Sequence, residues 1–190
     1  MRRAKKTNYL AIVVLSTALF ASASIHSKAQ AEDCPVNAEA RSGSETERSV
    51  GPVTNFPMPR YVSMKAKEAN IRVGPSVTYR VLRTYVVRGV PLKIIDEYEH
   101  WRRVQSWDGT VGWIHKNLLT GIRKVIVMEN HAPMRMAPES DSWTKAKAEQ
   151  GVVGDLGKCT ASWCLVSVGD FDGWMMKSCL WGIDPDEILD

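Results

Sequence analysis

The sequence predicts an all-β protein built from two small barrels in tandem, and three observations carry that expectation. Short apolar/polar alternations are punctuated by Gly, Pro and Asp-Gly, and no segment sustains a helical period. A set of landmarks also recurs. Met134-Arg135-Met136-Ala137-Pro138 follows Ile71-Arg72-Val73-Gly74-Pro75 at an offset of 63 residues, and Gly151-Val152 follows Gly89-Val90 at 62. Trp163 follows Trp101 at 62, while Gly173-Trp174 and Gly182 follow Gly112-Trp113 and Gly121 at 61. A slowly drifting offset is what a true repeat with small loop deletions leaves behind. Each copy spans about 60 residues, the size of a small barrel.

The elements are expected in the following order. Residues 1–31 read as a cleaved signal peptide: Met1-Arg2-Arg3-Ala4-Lys5-Lys6 is basic, and the apolar run from Leu10 to Ala23 is too short to span a bilayer comfortably. Ala29-Gln30-Ala31 supplies small residues for cutting before Glu32, with a cut after Ala23 as the alternative. Two carboxylates before Cys34 are unlike the small apolar box that lipoprotein processing requires. Residues 32–56 are polar and without periodicity, which predicts a disordered tether.

The first barrel is expected over 57–123. Tyr61–Ala66 alternates as a strand, and Asn70–Val73 is a second, broken by Gly74-Pro75 into a long loop. Val81–Val87 is ambiguous. Val90–Ile95 is a β-branched strand with Pro91 near its start, Glu97–His100 a turn, and Trp101–Gln105 the return. Asp108-Gly109 is a strong hairpin signal leading into Thr110–His115. The second barrel is expected over 124–190, with Lys124–Met128 either joining the barrels or pairing across them.

Asn70-Ile71-Arg72-Val73-Gly74-Pro75-Ser76, together with Gly89-Val90-Pro91, Trp101 and Gly112-Trp113, resembles the signature of bacterial SH3 (SH3b) domains. The resemblance covers about residues 57–183. With Leu118-Leu119-Thr120-Gly121 it extends to exported, tandem SH3-like proteins of alphaproteobacteria. The second copy departs from the signature at Pro133, which stands where the first has Asn70.

Charge excludes one class of function. Without residues 1–31, the chain has 20 basic residues against 21 acidic ones, so nothing electrostatic argues for a nucleic-acid partner. Four cysteines behind a secretory leader are expected in disulfides. Cys159 and Cys164 flank a tight four-residue turn that brings their Cβ atoms within bonding range. Cys34–Cys179 would follow by elimination, although four cysteines allow three connectivities. Cys-x4-Cys is not the spacing of thiol oxidoreductases, and the histidines have no metal-type spacing with the cysteines. Many SH3b domains are appended to wall-cutting enzymes, but the two repeats leave no room for a separate catalytic domain. No catalytic residue, metal or cofactor is expected.

Binding remains. Trp101, Trp113, Trp163 and Trp174 recur at matched positions and read as packing residues. His115 reads as a solvated strand residue. Tyr79, Tyr98 and Trp107 lack counterparts of the same type and lie by loops, where recognition residues concentrate. The expected site is a groove between the 74–85 loop and the hairpin around Trp107, with Asn70 and Arg72 shaping its floor. For Arg72, a structural bond to loop carbonyls is an equal alternative. The resemblance implies a non-enzymatic, periplasmic or secreted module that binds peptidoglycan or its stem peptides, with no membrane contact after cleavage. The alternative is an adaptor binding an extended or proline-rich segment of an envelope protein.

Overall fold

The computed structural model describes Cys34 and residues 49–190. The expected signal peptide and residues 32–48, Cys34 excepted, lie outside the described residues. Strands dominate, in two seven-stranded sheets of identical topology. The first contains β3 (Arg60–Met64), β4 (Ala69–Arg72), β5 (Val81–Tyr85), β6 (Pro91–Tyr98), β7 (Trp101–Gln105), β8 (Val111–His115) and β9 (Leu119–Thr120). Its order is β5-β4-β8-β7-β6-β3-β9. The second contains β10 (Lys124–Val127), β11 (Ala132–Arg135), β12 (Thr144–Ala148), β13 (Val153–Cys159), β14 (Trp163–Val168), β15 (Phe171–Met176) and β16 (Leu180–Trp181). Its order, β12-β11-β15-β14-β13-β10-β16, repeats the first strand for strand. Lys124–Val127 is therefore the opening strand of barrel 2 and does not bridge the barrels. The ambiguous segment at Val81 is strand β5, and β6 runs on through Tyr98, which confines the expected turn to Glu99 and His100.

Each barrel has its own core. Ile71, Leu92, Val104 and Ile114 are fully buried in the first, as are Val125, Cys164, Val166 and Met175 in the second. The repeated glycines have a steric cause. A Cβ on Gly112 would lie 2.6 Å from the Arg72 carbonyl oxygen, and one on Gly173 would lie 2.8 Å from Met134 Cβ. The Gly-Trp pair recurs because β4 and β11 cross their partner strands too closely for a side chain. Gly89 and Gly151 recur for another reason: both hold φ near +85°, where L side chains are strained.

The segment 49–56 is ordered, unlike the tether expected there. β1 (Ser49–Val50) pairs with β2 (Pro57–Met58), and the connecting turn rests on Glu97. Its carboxylate accepts from Thr54 N (2.9 Å), Thr54 Oγ1 (2.8 Å) and Val53 N (3.2 Å), and pairs with Arg60 (2.6 Å) and Arg102 (3.3 Å). Composition alone missed this, because a single buried carboxylate far along the chain supplies the partners.

Barrel 2 solves the same corner differently. Glu97 faces Arg102 across the β6–β7 hairpin, and Cys159 faces Cys164 at the matched register of β13–β14. An ion pair in one copy is a disulfide in the other, with Cα atoms 4.1 Å apart. A second disulfide joins Cys34 to Cys179. The C-terminal tail closes over the barrel 2 corner: Cys159 and Leu189 exchange backbone hydrogen bonds, and Lys177 Nζ donates to the Pro185 and Glu187 carbonyls.

The two barrels pack directly on one another. Tyr61 of β3 meets Trp181 edge-on at 5.3 Å, with Lys93 and Arg123 over its ring at 5.0 and 5.4 Å. Burial and the nearby Asp184 carboxylate push the Tyr61 hydroxyl pKa up. Lys93 pairs with Asp184 (3.0 Å), and Arg123 grips Glu187 through two bonds of 2.7 and 3.0 Å. Gly182, at φ +119°, lets the chain turn here, since a Cβ would strike the Lys124 carbonyl oxygen at 2.6 Å.

Candidate functional site

Barrel 1 carries a groove of about 220 Å³ lined by Glu68, Ala69, Asn70, Arg72, Val77, Trp101, His115 and Leu118. Its walls follow from strand register. The Asp108-Gly109 turn sets β7 against β8 so that Trp101 stands opposite His115, and their rings meet edge-on at 5.4 Å. Asp108 fixes that turn by accepting from Thr110 N (3.0 Å) through one carboxylate oxygen and from the Tyr85 hydroxyl (2.9 Å) through the other. The short 3₁₀ turn Lys116–Leu118 then brings Leu118 to the groove, and His115 Nδ1 accepts from Asn117 N at its start.

The opposite wall is β4 and its loop. Asn70 Oδ1 accepts from Thr84 Oγ1 at 2.6 Å. Arg72 Nη1 donates to the Tyr79 carbonyl at 2.8 Å, which is the loop-clasping role the sequence left as one of two readings. Arg135 makes the matched bond to Ser142 O at 2.9 Å in barrel 2, so the arginine recurs as a clasp. In barrel 1 that clasp also faces the groove.

Of the residues singled out from sequence, the structure brings only Asn70 and Arg72 together in this groove. Tyr79 is about half exposed, with its ring against Gly74, where a Cβ would lie 2.7 Å from it. Barrel 2 has Ala137 and Ser142 at those two positions, so a methyl group stands where the ring would need space. Tyr98 is exposed at the end of β6 and does not line the groove. Trp107 is half-buried and packs on the barrel 1 core. The hairpin wall of the groove is the Trp101–His115 pair instead.

Glu68, Val77, Trp101, His115 and Leu118 were not chosen from sequence. The Asp108-Gly109 signal came within one position of two of them: a two-residue turn there would pair 101 with 116. The turn instead spans residues 107–109, closed by the bond from Ser106 N to Thr110 O (2.9 Å), and sets 101 against 115. Trp143 was also missed. At 82 % exposure, beside Met136 at 65 %, it lies outside the barrel 2 core, and the bond from Met136 N to Trp143 O makes the two neighbours.

What the groove can do chemically is hold a small extended ligand. Val77, Trp101 and Leu118 offer apolar surface, Asn70 and Arg72 offer donors, and Glu68 offers an acceptor. Among the described residues, no group of three His, Cys, Asp or Glu is placed to hold a metal ion, and no helix is long and apolar enough to cross a membrane.

Comparison with known proteins adds the family. The chain matches no curated protein sequence. Among solved structures it is similar to NlpC2 from Trichomonas vaginalis (10 % identity, TM-score 0.31, covering 66 % of this chain and 49 % of that one). It is likewise similar to NlpC1 from the same organism (9 % identity, TM-score 0.31, covering 69 % and 48 %). This chain spans about half the length of each, and scores this low say nothing of its activity. The family described as "Bacterial SH3 domain" matches twice, at residues 65–121 and 128–182, which together are more than half of the sequence. Each match covers six of the seven strands of one barrel, from just after its opening strand to its last, and the chain belongs to the bacterial SH3 domain family as a tandem pair.

Proposed function

We propose that this chain is an exported, non-catalytic module that binds peptidoglycan through its stem peptides, using the barrel 1 groove. One observation carries the reading: Glu68 and Arg72, of opposite charge, share one open groove with the apolar faces of Trp101, Val77 and Leu118. A stem peptide is extended, bears both ammonium and carboxylate groups, and has short apolar side chains, so it complements each feature. Family membership supports a binding role, and the leader-like first 31 residues and the disulfides support an oxidising, extracytoplasmic location.

The test is co-sedimentation of the oxidised chain from Glu32 to Asp190 with protease-treated sacculi. Asn70→Ala combined with His115→Ala is expected to weaken pelleting about tenfold, with the circular dichroism spectrum unchanged. Trp107→Ala, in a variant that remains folded, is expected to pellet like the parent. No enrichment at any concentration tried would overturn the reading.

The exposed Trp143–Met136 pair favours a second reading, a protein–protein adaptor, because a large apolar surface in full solvent suits a partner protein. Pelleting that requires added envelope extract and disappears in Trp143→Ala would favour the adaptor.

A further inference from the structure

Barrel 1 and barrel 2 border a cleft of about 500 Å³, with Lys65, Arg88, Leu119 and Ile122 on one side and Lys124 and Asp155 on the other. Three cations and one carboxylate face it. Lys124 is neutralised by Asp155. Lys65 and Arg88 are exposed, and among the described residues neither has an ion-pair or side-chain hydrogen-bond partner. Gly89 shapes the wall: a Cβ there would lie 2.7 Å from Lys124 Cδ, so glycine leaves room for the lysine stem.

The cleft and the barrel 1 groove share a wall. Met64 and Lys65 line the cleft while Glu68 and Ala69 line the groove, and Leu119 faces the first while Leu118 faces the second. The bond from Lys65 N to Leu118 O (2.8 Å) joins the two stretches into one ridge. The seam of Tyr61, Trp181, Lys93 and Asp184 sets the two barrels against each other.

We propose that this cleft is a second subsite, which takes the carboxylate groups of a peptide whose remainder lies in the barrel 1 groove. The inference rests on the groove being the binding site. Two exposed cations beside apolar Leu119 and Ile122 suit a short acidic peptide end. A glycan without charge would gain nothing from them. The charges are exposed, so their contribution is screened by salt.

The experiment compares a free peptidoglycan stem tetrapeptide with its analogue in which every carboxylate is a carboxamide. Both are titrated into the isotopically labelled chain from Glu32 to Asp190 at low ionic strength. The carboxylate form is expected to bind about tenfold tighter, and the preference should shrink severalfold in Lys65→Gln/Arg88→Gln, to what Arg72 in the groove contributes, while the amide form binds as before. Amide signals of Lys65, Arg88 and Lys124 should shift only with the carboxylate form. A preference that Lys65→Gln/Arg88→Gln leaves unchanged would overturn the cleft proposal and leave the groove reading standing, because Arg72 in the groove then accounts for it. Equal affinities of the two forms for the parent chain would overturn the cleft proposal and the charge argument for the groove together. If neither form binds, the groove reading fails and citrate becomes the probe of the cleft. Shifts at Lys65 and Arg88 would then keep an anion site there, and their absence would overturn it.

Discussion

Replacing Glu97 by Gln is expected to cost the folded chain about 3–5 kcal/mol, the usual penalty for breaking a buried ion pair on one side. The Glu97 carboxylate is fully buried, and Arg102 is 6 % exposed, so the variant leaves a guanidinium in the interior without a counter-charge. Burial alone would push the Glu97 pKa up. Hydrogen bonds from Arg60 and Thr54 and the Arg102 charge outweigh it and hold the group down at about 2, against 4.5 when unfolded.

A depressed carboxylate stabilises the fold above its unfolded pKa and loses that contribution as pH falls through its folded one. The window here is from about pH 4.5 down to about 2, and the difference corresponds to roughly 3 kcal/mol. Urea unfolding between pH 6 and pH 2 is therefore expected to show a steeper decline in the parent than in Glu97→Gln, where the depressed Asp108 and Glu187 carboxylates still lose their contributions. The second barrel suggests a rescue. Glu97→Cys with Arg102→Cys copies the Cys159–Cys164 pair at the matched register, so it should recover stability under oxidising conditions while the 49–58 hairpin, deprived of its anchor, loses amide protection. Unaltered unfolding in Glu97→Gln would show that Glu97 does not organise this corner.

Removing the Cys34–Cys179 bond should produce the other large effect. It closes a loop of 145 residues, and the chain-entropy estimate for such a loop is about 5 kcal/mol. The Cys159–Cys164 bond closes only 5 residues, for which the same estimate gives about 2 kcal/mol. Cys34→Ser/Cys179→Ser is thus expected to lower the unfolding free energy by roughly 3 kcal/mol more than Cys159→Ser/Cys164→Ser. All four cysteines are buried in the barrel 2 core, so packing losses fall on both variants and loop length sets the order. Chemical denaturation of the two variants beside the oxidised parent checks this. An equal or reversed order would mean that strain or residual structure in the unfolded chain, and not loop length, governs these bonds.

The class of fold and the presence of two copies were legible in the amino-acid sequence, because both rest on local rules. Alternation, turn glycines and the Gly-Trp pair are imposed by neighbours within a hairpin or by one close strand crossing, and they leave a mark wherever they recur. The same locality made the Cys159–Cys164 turn readable. The rest depends on contacts between distant parts of the chain. Ser49–Met58 is ordered by Glu97, some 40 residues away, and nothing in its own composition shows that. Asn70 and Arg72 were legible because they belong to the SH3b-like signature of the first copy, and the second copy keeps only the arginine, with Pro133 in place of Asn70. Trp107 and Tyr98 were not excluded by sequence, because both are aromatic residues beside turns, and only the packing of Trp107 on the core separates it from Trp101 at the groove. The cleft between the barrels was invisible for the strongest reason: its walls come from residues 64–65, 88, 119–124 and 155, which meet only once two barrels have folded and docked.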